Sequence, residues 1–109
     1  MELRYTLAFK RQLKRLARKY RRIRTDINPI LDEIAAGHMP GDQVMGIGAT
    51  VYKVRAPNSD AKSGTRGGYR MIYYLQTVDD ITLLTIYSKS EQSDISTHDL
   101  RRILQDAGL

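Results

Sequence analysis

Residues 52–91 read YKVRAPNSDAKSGTRGGYRMIYYLQTVDDITLLTIYSKSE, and this stretch contains most of the predicted sheet. It belongs to a region with three runs of aromatic and β-branched residues, which are typical of β-strands. The runs are 50–56, 69–76 and 81–88. A polar loop, 57–68, separates the first two runs, and Asp79 with Asp80 marks a turn before the third. The third run is almost entirely apolar, so it is expected in the middle of a sheet.

The residues before this stretch predict a short strand and two helices. Residues 2–6 alternate apolar and polar side chains, as a strand does. Apolar residues then recur at helical spacing over 8–24 with cations between them, which indicates an amphipathic helix. Its apolar stripe comprises Phe9, Leu13, Leu16, Ala17, Tyr20 and Ile23. Because Pro29 disfavours helical geometry in the residue before it, a break is expected over 24–29, followed by a short second helix that Gly37 ends.

The remaining segments complete the predicted topology. Residues 38–48 contain three glycines and a proline and are expected to form a loop. Ser96, with Asp99 three residues later, resembles a capping box and begins a C-terminal helix. The order β-α-α-β-β-β-α predicts an α+β fold, in which a small antiparallel sheet packs against an N-terminal helical hairpin, as a single domain over 1–109. The helices are expected to cover one face of the sheet and to leave the other free as a polar working surface.

Composition narrows the function classes. The chain has 109 residues and no cysteine, which excludes a disulfide framework and a thiolate zinc site. Its net charge of +6 is uneven, because residues 1–24 hold ten Lys or Arg and one acid, whereas the rest of the chain has a net charge of −3. A basic flank suits RNA or an acidic protein partner, although a solvated helix face explains it equally well. No signal peptide or membrane-spanning run is apparent, so a cytoplasmic location is expected.

Cations and tyrosines at alternate positions mark the candidate site. Side chains two apart on a strand share a face, so the three runs are expected to gather positive charge on one surface. Cleavage of an RNA phosphodiester by its own 2′-hydroxyl requires a base, an acid and positive charge near the phosphoryl oxygens, and it requires no metal or cofactor. The candidate catalytic residues are Lys53, Arg55, Arg70, Tyr87 and Lys89. An exposed sheet face without a catalytic role is the alternative.

Further residues are expected around this surface. The predicted RNA-binding residues are Lys62, Arg66, Tyr74 and Glu91. Glu91 and Asp94 can also serve as a base, position a cation or simply form a turn. His38 and His98 leave an acid–base pair of histidines open, although nothing in their spacing places them together.

Three strings, YKVR, RGGYRMIYY and LLTIYSKSEQSDIS, together with the N-terminal strand and hairpin, resemble the RelE/HigB-type toxins of bacterial type II toxin–antitoxin systems. The glycine-rich loop is most similar to the HigB-like branch. The resemblance implies a ribosome-dependent endoribonuclease that cuts mRNA in the decoding site. By position, Lys53 and Arg55 match the paired cations of the family's second strand, Arg70 the arginine after its glycine–aromatic turn, and Lys89 the lysine that ends its fourth strand.

The resemblance also implies partners and shows two departures. The expected partner is a cognate antitoxin with a DNA-binding domain, through which the toxin reaches operator DNA. RelE itself has an arginine at the position of Ser90 and a tyrosine at that of Ser96, and Tyr87, Lys62 or Arg66 can substitute for them. The main alternative is a ParE-type toxin that binds DNA gyrase without catalysis, and a third is an inactive toxin or regulator.

Overall fold

The structure is a computed structural model that describes residues 2–61 and 67–109. Its elements are β1 (Arg4–Tyr5), α1 (Leu7–Lys19), α2 (Ile23–Ala35), β2 (Asp42–Val44), β3 (Val51–Ala56), β4 (Tyr69–Thr77), β5 (Asp80–Ser88) and α3 (Thr97–Asp106). The predicted α+β class is confirmed. None of the helices in these two described segments is long and apolar enough to span a bilayer.

The five strands form one sheet in the order β1-β5-β4-β3-β2. Strands β2 to β5 pair antiparallel, whereas β1 runs parallel to β5. The prediction of a purely antiparallel sheet is therefore wrong at β1. The Thr6 hydroxyl stabilises this junction, since it donates to the Leu84 carbonyl at 2.6 Å and accepts from the Phe9 N–H at 3.0 Å, which also caps α1.

Strand β5 lies between β1 and β4, and every residue from Ile81 to Ser88 is buried. This confirms the interior position predicted from its apolar run. The register between β4 and β5 shifts by one residue after Ile72. Ile72 of β4 pairs with Thr85 of β5, whereas the next residue, Tyr73, pairs with Leu83. One extra residue, Leu84, is thus accommodated in β5 as a bulge.

Strand β2 lies in the segment predicted as a loop, so that prediction is wrong over Asp42–Val44. The strand is a three-residue edge strand in which Asp42 and Gln43 are polar and exposed, so it is too short and too polar to show an alternating pattern. Gly41 allows its approach to β3: its φ is +94°, and a Cβ there would lie 2.2 Å from the Lys53 carbonyl oxygen. Pairing with β3, rather than local propensity, forms this strand.

The two N-terminal helices form a hairpin, but the break lies at Tyr20–Arg22 and not at 24–29. Tyr20 adopts an extended backbone, and its ring packs edge-on against Tyr69 at 5.8 Å between centroids. Pro29 lies inside α2, where it removes one backbone donor. Burial of Ile23, Ile27 and Ile34 against the sheet offsets that loss.

The sheet is covered on both faces, and the prediction of one free face is wrong in part. The hairpin covers the first face, with Phe9, Leu16 and Ile27 packed on Met71 and Leu83. Helix α3 covers part of the second, where it buries Leu100 and Leu104. They pack in a cluster with Ile47, Val51, Ile72, Leu84 and Tyr87. We call this second surface the α3 face. The amphipathic pattern of α3 requires such an apolar partner, which only the sheet supplies.

Candidate functional site

Three strands place Arg55, Arg70 and Tyr87 side by side. Arg55 of β3 is the register partner of Arg70 on β4, which is in turn the partner of Tyr87 on β5. Neighbouring strands lie about 4.8 Å apart, and directly opposed residues share a face. We call these three residues the cross-strand row. Tyr87 belongs to the α3-face cluster, so the row lies on that face, beyond the ring of apolar residues that α3 covers.

The row juxtaposes two like charges. Arg70 is buried, with 8% of its surface exposed, while Arg55 is exposed. Burial, followed by the charge of Arg55, lowers the pKa of the Arg70 guanidinium, and Tyr87 opposes this shift. None of the ion pairs formed within 2–61 and 67–109 involves either arginine. Opposed like charges on a sheet are unfavourable without a counter-ion, so the row is suited to receive an anion.

The turn before β4 holds the Arg70 side chain. Its Nη1 donates to the Gly67 carbonyl at 3.0 Å and to the Tyr69 carbonyl at 3.3 Å. Gly68 has φ +62°, and a Cβ there would lie 2.5 Å from the Ala56 carbonyl oxygen. The glycine at this position therefore allows β3 and β4 to close around the arginine.

Asp94, in the loop after β5, connects the row to Lys53. Its Oδ1 accepts from Lys53 Nζ at 3.2 Å, from the Tyr87 hydroxyl at 3.3 Å and from the Ile95 N–H at 2.8 Å. The hydrogen bond from Ile95, and then that from Lys53, lower the pKa of the Asp94 carboxyl. Asp94 is therefore a carboxylate at neutral pH that positions a cation, which is one of the roles considered for it from the sequence.

Tyr87 is a protonated phenol in this environment. Burial, and then the charge of Asp94, raise the pKa of Tyr87 to about 12. Its hydroxyl therefore acts through hydrogen bonds at neutral pH and not as a phenolate base.

Lys89 lies at the same end of the sheet. Its N–H donates to the Gly68 carbonyl at 3.0 Å, which continues the pairing of β5 with the turn that holds Arg70. Its ammonium donates to the Ser93 carbonyl in the loop that carries Asp94. The structure thus gathers Lys53, Lys89 and the row at one end of β3, β4 and β5.

Two predicted RNA-binding residues lie elsewhere. Tyr74 is four residues from Arg70 along β4, about 13 Å at the usual strand rise, and packs with the α3 cluster. The Glu91 carboxylate pairs with Arg15 Nη2 at 3.0 Å and Lys19 Nζ at 3.5 Å on α1. Lys62 and Arg66 lie outside the described residues.

A groove with a volume of about 480 Å³ opens beside Tyr87, between α1 and α3. Its lining includes Thr85 and Tyr87 from β5, with Arg11 and Arg102 from the two helices. The groove therefore adjoins the row at Tyr87.

The sequence does not predict the ion pair between Asp94 and Lys53. It depends on the path of the loop after β5, for which no periodicity exists. The indirect signal was the acidic residue close behind a strand that ends in a cation.

A protein-family model matches most of the chain. The family model described as "RelE toxin of RelE / RelB toxin-antitoxin system" matches residues 7–108. The match runs from the start of α1 to just beyond α3, and it includes every residue of the row.

Proposed function

Since this chain belongs to the RelE toxin family, we propose that it is a ribosome-dependent mRNA endonuclease of the HigB-like branch. Membership makes it the toxin of a toxin–antitoxin system, and toxins of this family are generally endonucleases that inhibit translation. The observation that carries the proposal is the cross-strand row, in which two arginines that pair with no carboxylate among residues 2–61 and 67–109 lie beside a tyrosine.

The proposed reaction is an intramolecular transesterification. The 2′-oxygen of the RNA attacks the adjacent phosphorus, and the bond from phosphorus to the 5′-oxygen breaks. A base takes the proton of the 2′-hydroxyl, and an acid gives a proton to the departing oxygen. The products are a 2′,3′-cyclic phosphate and a 5′-hydroxyl. The nucleophile belongs to the substrate, so the protein needs to supply only charge, orientation and proton transfer, without a metal ion.

Arg55 and Arg70 hold the scissile phosphate in this proposal. A guanidinium binds phosphoryl oxygens in two-point fashion, and two of them facing each other are suited to a group on which negative charge builds up. An incoming phosphate also removes the repulsion between the two cations. Binding of the anion and relief of that repulsion therefore reinforce each other.

Proton transfer falls to the lysines. The phenol of Tyr87, with a pKa of about 12, is almost fully protonated at neutral pH, and its ring is buried in the cluster beneath α3, so it orients the substrate through its hydroxyl. Lys53 and Lys89 flank the row from β3 and from the end of β5. The groove beside Tyr87 has room for a nucleotide next to the cleaved bond.

We propose dependence on the ribosome because the described part of the site contains no obvious general base. Holding the 2′-oxygen in line with the phosphorus contributes about 7–11 kcal/mol in favourable intramolecular reactions. A ribosome that presents the message in this geometry supplies what the side chains lack. The antitoxin, which the family implies as partner, is proposed to block the site and to carry the complex to operator DNA through its own DNA-binding domain.

The test is induction of the toxin without its antitoxin, followed by mapping of transcript ends. We expect growth arrest with cuts in translated messages. Arg70→Ala is expected to abolish both while antitoxin binding persists. Arg4→Ala removes the same charge at the far end of the sheet, where Arg4 pairs with Asp80 at 3.4 Å, and is expected to behave as wild type. Intact messages, or DNA breaks that depend on gyrase, would exclude the nuclease and favour a gyrase-binding toxin.

A further inference from the structure

We propose that Asp94 is a positioning residue of the cleavage site, which holds the Lys53 ammonium and the Tyr87 hydroxyl at a single carboxylate oxygen. This inference rests on the proposed function and adds a carboxylate to a site built otherwise from cations and a phenol. The two side chains come from β3 and β5, on either side of the strand that carries Arg70. Asp94 thereby fixes both flanks of the row.

The Asp94 carboxylate is itself oriented. The Ile95 N–H donates to the same Oδ1 at 2.8 Å, so the backbone of the loop sets the direction of the side chain. The loop is anchored at a second point, because Glu91 pairs with Arg15 and Lys19 on α1. Both anchors hold the loop without using Arg55 or Arg70. The arginines therefore remain available to an anion while Lys53 and Tyr87 are held in place.

The hydrogen-bond direction assigns a role to Tyr87. Its hydroxyl donates its one proton to Asp94, so the oxygen presents its lone pairs to the site. In this state Tyr87 accepts a hydrogen bond from the substrate and does not protonate the departing oxygen. The proton for that oxygen then comes from a lysine. Lys53, held at 3.2 Å from Asp94, is oriented for this task.

An anchor that only stabilises the loop would behave differently from a positioning residue. Asp94→Ala removes the acceptor, and a misplacement of about 1 Å can cost roughly 100-fold in rate. We therefore expect kcat to fall by about 10- to 100-fold. KM is expected to stay constant or to fall, because a negative charge near the phosphate is lost. Asp94→Asn retains an oxygen acceptor, so kcat is expected to lie between those of Asp94→Ala and wild type.

A second measurement needs no cleavage. Burial is the main cause of the raised pKa of Tyr87, and the charge and hydrogen bond of Asp94 raise it further, so both substitutions are expected to lower the Tyr87 titration midpoint in the free protein. The readout is 13C NMR of labelled tyrosine, with the Tyr87 signal assigned by Tyr87→Phe. Asp79→Asn is the matched control, since it removes one carboxylate from the exposed turn at the opposite end of β4 and β5. It is expected to leave both the midpoint and kcat unchanged.

The outcomes separate the two proposals. A lower kcat without a higher KM in Asp94→Ala, together with the shifted midpoint, supports the positioning role. An unchanged kcat, an unchanged Tyr87 midpoint, or a loss of activity that follows a lower melting temperature overturns it. Failure of the wild-type protein to cut RNA at all contradicts the proposed function, whereas the Tyr87 titration still decides whether Asp94 controls the tyrosine.

Discussion

Arg55 and Arg70 lie directly opposite each other on the antiparallel strands β3 and β4. Like charges in this relationship destabilise a sheet, and none of the ion pairs among the described residues involves either arginine. The burial of Arg70 increases the cost, because its charge is partly removed from water. The arrangement suits a site that binds an anion. The two facing charges make the free protein less stable, and a bound anion would compensate for them.

Replacement of Arg55 is expected to stabilise the protein while it weakens cleavage. Arg55 is exposed, so Arg55→Ala loses little packing and relieves the repulsion of Arg70. The free energy of unfolding in urea is expected to rise by about 0.2–1 kcal/mol. Cleavage of ribosome-bound mRNA is expected to fall at least about tenfold, as for loss of one charge-assisted contact to phosphate. A destabilised variant with full cleavage activity would show that the two arginines do not act together.

Gly68 and Gly67 offer a matched pair of substitutions in the turn that holds Arg70. Gly68→Ala introduces a Cβ 2.5 Å from the Ala56 carbonyl oxygen in a residue with φ +62°, so β3 and β4 must separate. We expect a loss of about 1–3 kcal/mol in the free energy of unfolding, with reduced cleavage because Arg70 moves. Gly67→Ala meets nothing within 4 Å and is expected to be nearly neutral. Equal effects of the two substitutions in urea denaturation would refute this account of the turn.

Acid is expected to release the loop after β5. The hydrogen bond from Arg15 is the main cause of a lowered pKa at Glu91, whose ordinary value is 4.5. Because the folded-state pKa is the lower one, the stabilisation is present above pH 4.5 and is lost as pH falls through the folded-state value. Glu91→Gln is expected to flatten this part of the stability profile in low salt. The measurement covers pH 3 to pH 6, which spans about 1.5 units on either side of the ordinary pKa. If the stability profiles of Glu91→Gln and wild type are identical over this range, the pairing of Glu91 with α1 is not formed in solution.

The sequence predicted the elements that local patterns control. The alternation and apolar runs placed β3, β4 and β5 within a residue or two, and the Ser96 side chain does accept from the Asp99 N–H at 3.0 Å at the start of α3. The helical break lies before the segment that Pro29 predicts, because Tyr20 adopts an extended backbone at the end of α1, where its ring packs against Tyr69. The existence of β2 and the parallel direction of β1 depend on pairing with distant strands, for which a single sequence carries no local signal, although alternation over residues 2–6 did predict a strand at β1.

The sequence predicts which side chains share a face within one strand, but not which residues of neighbouring strands lie opposite each other. Alternation predicted that Lys53 and Arg55 share a face, but the opposition of Arg55, Arg70 and Tyr87 depends on the register between strands. That register is set by turn length and by the bulge at Leu84, neither of which has a periodic signature. Tyr74 illustrates the limit, because it is a tyrosine on the same strand as Arg70 but packs beneath α3.

The proposed role of the 2′-oxygen can be tested with a ribosome-bound message that carries a single 2′-deoxynucleotide at the position where the unmodified message is cut. We predict that the purified toxin cuts the unmodified message, leaves a 5′-hydroxyl and a 2′,3′-cyclic phosphate, and spares the deoxy-substituted one. Arg70→Ala should cut neither. Cleavage of the deoxy-substituted message, or cleavage by Arg70→Ala at the wild-type rate, would contradict a site in which the cross-strand row holds a phosphate for attack by its own 2′-oxygen.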